Sequence, residues 1–273
     1  MKITILVDNQ AAGGLVAEHG LSLWIEAEGK RILFDTGQGA ALERNAGMLG
    51  VDLGRTDILV LSHGHYDHTG GIPCVLRRAP LAMVYCHSGA VQPRYSISQG
   101  RARPIHMPQP AMAAIDKLPW KHLSWVQQPV WLSENVGIVA PIARETDYED
   151  SGGPFYLDPE GRRPDPIEDD LALWIKTRSG LVVCVGCCHA GLVNTLNHVR
   201  NINFGMNIRA VIGGFHLLNA TRQRLGRTIA ALRSIKPETL IPCHCTGASA
   251  VSALQLAMGE QASPGASGKT YHF

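Results

Sequence analysis

Four metal-competent side chains fall within six residues of the segment Leu61-Ser-His-Gly-His-Tyr-Asp-His-Thr-Gly-Gly71: His63, His65, Asp67 and His68. Imidazole and carboxylate donors together suit zinc, manganese or iron rather than calcium or magnesium, which prefer oxygen ligands throughout. His63 and His65 alternate, so both rings can point to one side of an extended chain, and Asp67 and His68 follow as the chain turns at Thr69-Gly70-Gly71. The bland alternative is a polar loop that happens to hold three histidines, and the ligand-like spacing argues against it.

Such a cluster needs a rigid element to deliver it. The preceding run Asp57-Ile-Leu-Val-Leu-Ser62 is short, aliphatic and bounded by turn signals, which predicts a strand buried on both faces. Upstream, residues 21–34 read as a hairpin turning at Glu28-Gly-Lys30 and ending at Asp35-Thr-Gly37. A helix follows, with Leu42, Ala46 and Leu49 on one face and Gly50 as its C-terminal cap. Downstream, Leu81-Ala-Met-Val-Tyr85 reads as a strand ending at Cys86-His-Ser88.

The second half repeats this order. Leu171-Ala-Leu-Trp-Ile175 and Leu181-Val-Val-Cys-Val185 form a hairpin that ends at Gly186-Cys-Cys-His189, and a helix carries Leu192, Leu196 and Val199 on one face. Arg209-Ala-Val-Ile212 then runs into Gly213-Gly-Phe-His216, a further helix follows, and Thr239-Leu-Ile-Pro-Cys-His244 closes the core. The two Leu-x-Leu-Trp-Ile runs align, as do the strands ending at His63 and His216 and the pair Cys86-His87 and Cys243-His244, with an offset drifting from about 150 to about 157 residues. Two such sheet-plus-helix halves packed face to face make an α/β fold of the four-layered αβ/βα sandwich type, taken here as a single domain over 1–273. Between the halves, over about 88–169, the pattern dissolves into a loop-rich insertion holding eleven of the sixteen prolines, and it reads as a lid, a substrate wall or a cover for a sheet edge.

Composition narrows the function classes. Apolar residues are 45% and charged residues 18%, a balance that gives no reason to expect disorder, and a net charge of +2 is too small to argue for a nucleic-acid or membrane partner. The arginines of Thr221-Arg-Gln-Arg-Leu-Gly-Arg227 alternate with Leu225, Ile229 and Leu232 and are expected on a solvated helix face. The apolar start Met1-Lys-Ile-Thr-Ile-Leu-Val-Asp8 is expected to be a first strand rather than a signal peptide. Seven cysteines, four of them beside histidines, argue against a disulfide framework and for a cytoplasmic setting. The expected partner is a small-molecule substrate, with no nucleic acid and no membrane, and the sequence sets no oligomeric state.

The H-x-H-x-D-H pattern resembles the metallo-β-lactamase superfamily of metal-dependent hydrolases, whose four-layered duplicated fold agrees with the internal repeat. The resemblance implies that His63 and His65 bind a first metal and that Asp67 and His68 bind a second. His244, in Ile-Pro-Cys-His-Cys-Thr-Gly247, resembles the family's late P-G-H motif and is assigned to the second metal; His189 is the third ligand of the first. Most members carry a separate His before the second hairpin and a bridging Asp at its end, where this chain has Gly186-Cys-Cys-His189. Either Cys187 bridges as a thiolate or water bridges alone. The Gly-Cys-x-His-Ala-Gly, Gly-Gly-Phe-His-Leu and His-Cys-Thr-Gly segments resemble, more narrowly, the branch named after 7,8-dihydropterin-6-methyl-4-(β-D-ribofuranosyl)aminobenzene-5'-phosphate synthase.

The function implied is that of a dinuclear metal-dependent hydrolase with two divalent ions, zinc first and manganese or iron as alternatives. A metal-bridged hydroxide would act on a small anionic substrate such as a phosphoester of a pterin- or nucleotide-like molecule. Asp67 would anchor the nucleophile, and His216 would serve substrate or leaving group without being needed to hold an ion. Asp35 is expected to orient a ligand histidine, His87 to lie away from the metals, and Asp169-Asp170 to start a strand with solvated charge rather than to orient substrate. Two other readings stay open: an iron-dependent oxidoreductase with the same ligands, and a metal-dependent ligand-binding protein on the same scaffold.

Overall fold

A computed structural model describes residues 1–273, and the chain separates into two compact units: Met1–Gln127 with Pro154–Asp169 and Ala266–Phe273, and Gln128–Gly153 with Asp170–Gly265. The sequence between the two hairpins is therefore divided. Its outer parts belong to the first unit and 128–153 to the second.

In the first unit a seven-stranded sheet runs in the order Thr270–His272, Lys2–Val7, Ser22–Ala27, Lys30–Phe34, Ile58–Val60, Met83–Cys86, Leu123–Trp125. Its first four strands are antiparallel, and the Lys30–Phe34, Ile58–Val60, Met83–Cys86 and Leu123–Trp125 strands are mutually parallel. The aliphatic Ile58–Val60 strand is buried throughout, as a two-faced parallel strand must be. Leu42 and Ala46 of the helix Ala40–Met48, and Ile72, Val75 and Leu76 of Ile72–Arg78, share one core with Leu33, Leu59 and Val84. The first helix stops where Gly50 takes φ 68°, a left-handed turn that glycine adopts without strain. A small antiparallel sheet of Phe155–Tyr156, Tyr95–Ser98 and Arg101–Pro104 completes this unit.

The second unit holds a six-stranded sheet in the order Thr239–Cys243, Ile208–Gly214, Gly180–Val185, Ala172–Thr177, Val136–Val139, Val130–Trp131. Here too an antiparallel hairpin is followed by two parallel strands, the same order as in the first unit. That match gives the sequence echo a topological basis. Trp174 is fully buried and fills the space over Gly137, where an added Cβ would lie 2.3 Å from the indole. The helices Leu192–Ile202, Arg222–Ile235 and Ala248–Met258 contribute Leu192, Leu196, Val199, Leu232 and Leu254 to a core with Val183 and Val211.

The arginines of the Arg222–Ile235 helix do not all face solvent as expected. Arg222 and Arg227 are exposed, whereas Arg224 is buried and ion-paired with Asp150. Leu232 is buried and Leu225 and Ile229 pack against the same core, as their spacing implies, with Arg224 and Thr228 buried beside them. No helix of the protein is long and apolar enough to cross a membrane.

Candidate metal centre

In the first unit the H-x-H-x-D-H residues meet where the Ile58–Val60 strand ends and the short helix Tyr66–Thr69 begins. His63 Nε2 lies 2.9 Å from His65 Nδ1, and the His63 ring centroid is 4.5 Å from that of His65 and 4.2 Å from that of His68. Asp35 organises this group from the end of the first hairpin. Its Oδ1 accepts the Ser62 N–H at 2.7 Å, and its Oδ2 takes the Ser62 hydroxyl at 2.6 Å and contacts His68 Nδ1 at 2.7 Å. Ser62 Oγ is in turn 2.9 Å from His63 Nδ1. A proton on Nδ1 of both His63 and His68 satisfies this chain and turns each Nε2 to the opposite side of its ring.

Burial, above all, and then the Arg94 charge hold the His65 pKa down to about 3, so its imidazole stays neutral, as a ligand must. Asp67 is buried and reached by His19, whose Nε2 is 3.2 Å from Asp67 Oδ2. A dense set of imidazoles around a carboxylate matches the donor preference of zinc and its first-row neighbours. His19 had no motif to announce it. Only the fold brings it to Asp67.

The Gly64 backbone, between two of these histidines, is fixed from another direction. Its N–H donates to Asp169 Oδ2 at 2.7 Å, and an added Cβ would lie 2.0 Å from the Ala90 carbonyl oxygen, so only glycine fits. Asp169 is fully buried, forks with Arg94, and shares that guanidinium with Asp165. Burial opposes its ionisation, but Arg94 and the Gly64 N–H outweigh that and hold its pKa below the usual carboxylate range. Asp170, also buried, accepts the Ala190 N–H at 2.8 Å. The expected solvated pair is thus corrected: both carboxylates turn inward, where buried donors hold them. His87 accepts the Gly89 N–H at 3.1 Å and caps a short helical turn.

In the second unit the strand-end residues gather similarly. His189 Nδ1 is 2.8 Å from the Ser151 carbonyl, and the His189 and His216 rings are 4.3 Å apart. Cys187, His216 and Cys245 form a cluster whose ligand atoms all lie within 4.8 Å of one another. Burial would push the Cys245 thiol up, but its hydrogen bond with Cys187 and the neighbouring His216 and His244 bring it well below the ordinary value. Burial lowers the His216 pKa, and Cys245 more than reverses this, giving a net rise. Cys245 stood in plain view beside His244, but as a residue type it read as evidence of compartment.

Backbone strain concentrates here. Asp35 (φ 60°), Cys188 (φ 52°), His216 (φ 45°) and His244 (φ 46°) all adopt the left-handed region at strand ends. Non-glycine residues held there cost on the order of 1–3 kcal/mol each and persist where surrounding structure over-determines them. The loop before the second hairpin is tied to the helix that follows that hairpin. Glu149 accepts the N–H groups of Val193 and Asn194 at the start of a helix, and Asn194 accepts those of Glu145 and Thr146.

The model of the metallo-beta-lactamase superfamily matches residues 16–196, and the chain belongs to that superfamily. Within it, the protein is 30% identical over 254 residues to an uncharacterized protein of Methanocaldococcus jannaschii, covering 92% of this chain and 93% of that one. It is likewise 30% identical over 249 residues to the 7,8-dihydropterin-6-methyl-4-(beta-D-ribofuranosyl)-aminobenzene-5'-phosphate synthase of the same organism, covering 85% of this chain and 82% of that one. Among solved structures it is similar to Tm1679, a metal-dependent hydrolase of the beta-lactamase superfamily, at 28% identity and a TM-score of 0.85 over 100% of this chain and 99% of that one. The fold is the metallo-β-lactamase fold.

Proposed function

We propose that the protein is a dinuclear metal-dependent hydrolase in which His63, His65 and His189 hold one divalent ion and Asp67, His68 and His244 the other. Zinc is the first candidate, with manganese and iron after it. The observation that carries this reading is the buried His63, His65, Asp67 and His68 set, with Asp35 and Ser62 holding the His63 and His68 rings by their Nδ1 atoms. Superfamily membership and the likeness to Tm1679 support it.

Two bound divalent ions would lower the pKa of a shared water towards about 7 and polarise a carbonyl or phosphoryl oxygen. The protein's own groups then have distinct tasks. Asp67 holds the attacking water, with His19 against its carboxylate. His216 hydrogen-bonds the substrate or its leaving group. Either the Cys187 thiolate or water alone would complete the site between the ions. The substrate class is a small anionic molecule, such as a phosphoester of a pterin- or nucleotide-like compound.

His216→Ala tests the division of labour. On a panel of phosphoesters and lactones, turnover should fall about 10²–10⁴-fold while metal content stays near wild type. Loss of one equivalent of metal would make His216 a ligand, and unchanged turnover would make it a packed strand-end residue. The relative named as a synthase favours a second reading, in which the same groups position an anionic substrate for synthesis. Mass analysis of the products separates addition of water from the joining of two substrates.

A further inference from the structure

Arg224 is 3% exposed, on the inward face of the Arg222–Ile235 helix. Its Nη1 donates to Asp150 Oδ1, and that oxygen also accepts the Gly152 N–H at 2.8 Å. Gly152 in turn lies against His216: an added Cβ would sit 1.9 Å from the imidazole Cδ2. Arg224 is therefore tied, through one carboxylate and one glycine, to the residue assigned to the substrate.

The opposite edge of the guanidinium carries the inference. Nε and Nη2 are both buried and have no acceptor in the protein. They are the neighbouring donors of the planar fork that matches two oxygens of a phosphate or carboxylate. One helical turn further, on the same face, the fully buried Thr228 hydroxyl is also without a partner. A buried guanidinium with one nitrogen engaged is unfavourable unless an anion completes it, and a fork beside an unused hydroxyl is a donor set suited to an oxyanion. Asp150 is not that anion for the free edge, because it occupies Nη1.

We propose that Arg224 is an anion-recognition residue, its Nε/Nη2 edge taking two oxygens of a phosphoryl or carboxylate group of the substrate, with the Thr228 hydroxyl as a further donor. The proposal rests on the reading of His216 as a substrate-facing residue. Asp150 neutralises Arg224 from its exposed side and lowers its attraction for the anion.

Calorimetric titration of the purified, metal-containing protein with inorganic phosphate, and separately with acetate, reads this without turnover. Arg224→Gln should weaken whichever anion binds more tightly by about 10–100-fold, with metal content near wild type. Arg224→Lys should weaken it less, since an ammonium keeps the charge and loses the fork. Asp150→Asn, at a side chain 74% exposed, should tighten the same anion by about 3–10-fold. A tie that merely holds the loop would give the opposite sign. Wild-type anion binding in Arg224→Gln, or unchanged or weaker binding in Asp150→Asn, overturns the proposal, and Asp150→Asn decides alone if Arg224→Gln does not fold. Arg224-dependent anion binding without any hydrolysis would count against the hydrolase reading and leave this one standing.

Discussion

Asp35 sets two imidazoles with one carboxylate: His68 directly, and His63 through the Ser62 hydroxyl. Replacing it with Asn keeps the shape but substitutes an N–H₂ donor for one acceptor oxygen, so one Nδ1 proton loses its partner. Asp35→Asn should therefore weaken metal binding about 10–100-fold, the usual effect of losing a group that orients a ligand histidine. Competition with a chromophoric chelator measures it, and unchanged affinity would contradict the role. At this scale the sequence was partly legible. The ligand-like cluster and the strand-end Asp35 stand out by residue type and spacing, whereas Asp169, Asp170 and Arg224 look like ordinary surface charges. Their burial depends on partners that come from distant segments: the Gly64 and Ala190 N–H groups for the two carboxylates, and the Asp150 carboxylate for Arg224.

Hairpins and parallel strands were legible because alternation and aliphatic runs have short-range causes, and the helix cap at Gly50 follows a local rule. The insertion was not, because its order comes from ion pairs made far along the chain. Arg94 reaches Asp165 and Asp169, and Arg227 pairs with Asp147 while lying over the Tyr148 ring. The Arg94 network supports the loop that carries His63 and His65 through the Gly64 N–H. Asp169→Asn removes one partner of a fully buried pair and should cost about 3–5 kcal/mol in chemical denaturation. A loss below about 1 kcal/mol, in the range of an exposed pair, would show that the network does not hold the loop.

At the scale of the whole chain, the duplication read from the Leu-x-Leu-Trp-Ile runs has its counterpart in two hairpin-plus-parallel-strand arrays, one in each unit. Each array ends in histidines, His63 and His65 in one and His189, His216 and His244 in the other, and the proposal is that the chain holds two divalent ions. That is the central claim, and metal content tests it most directly. Elemental analysis of the purified protein should find about two divalent ions per chain, as a two-metal hydrolase requires. The His63→Ala/His65→Ala double variant should lose at least about one of them, because a site deprived of two of its three proposed protein ligands would not hold its ion. Wild-type protein with no bound metal, or a double variant that loses no more than a trace of its metal, would contradict the account.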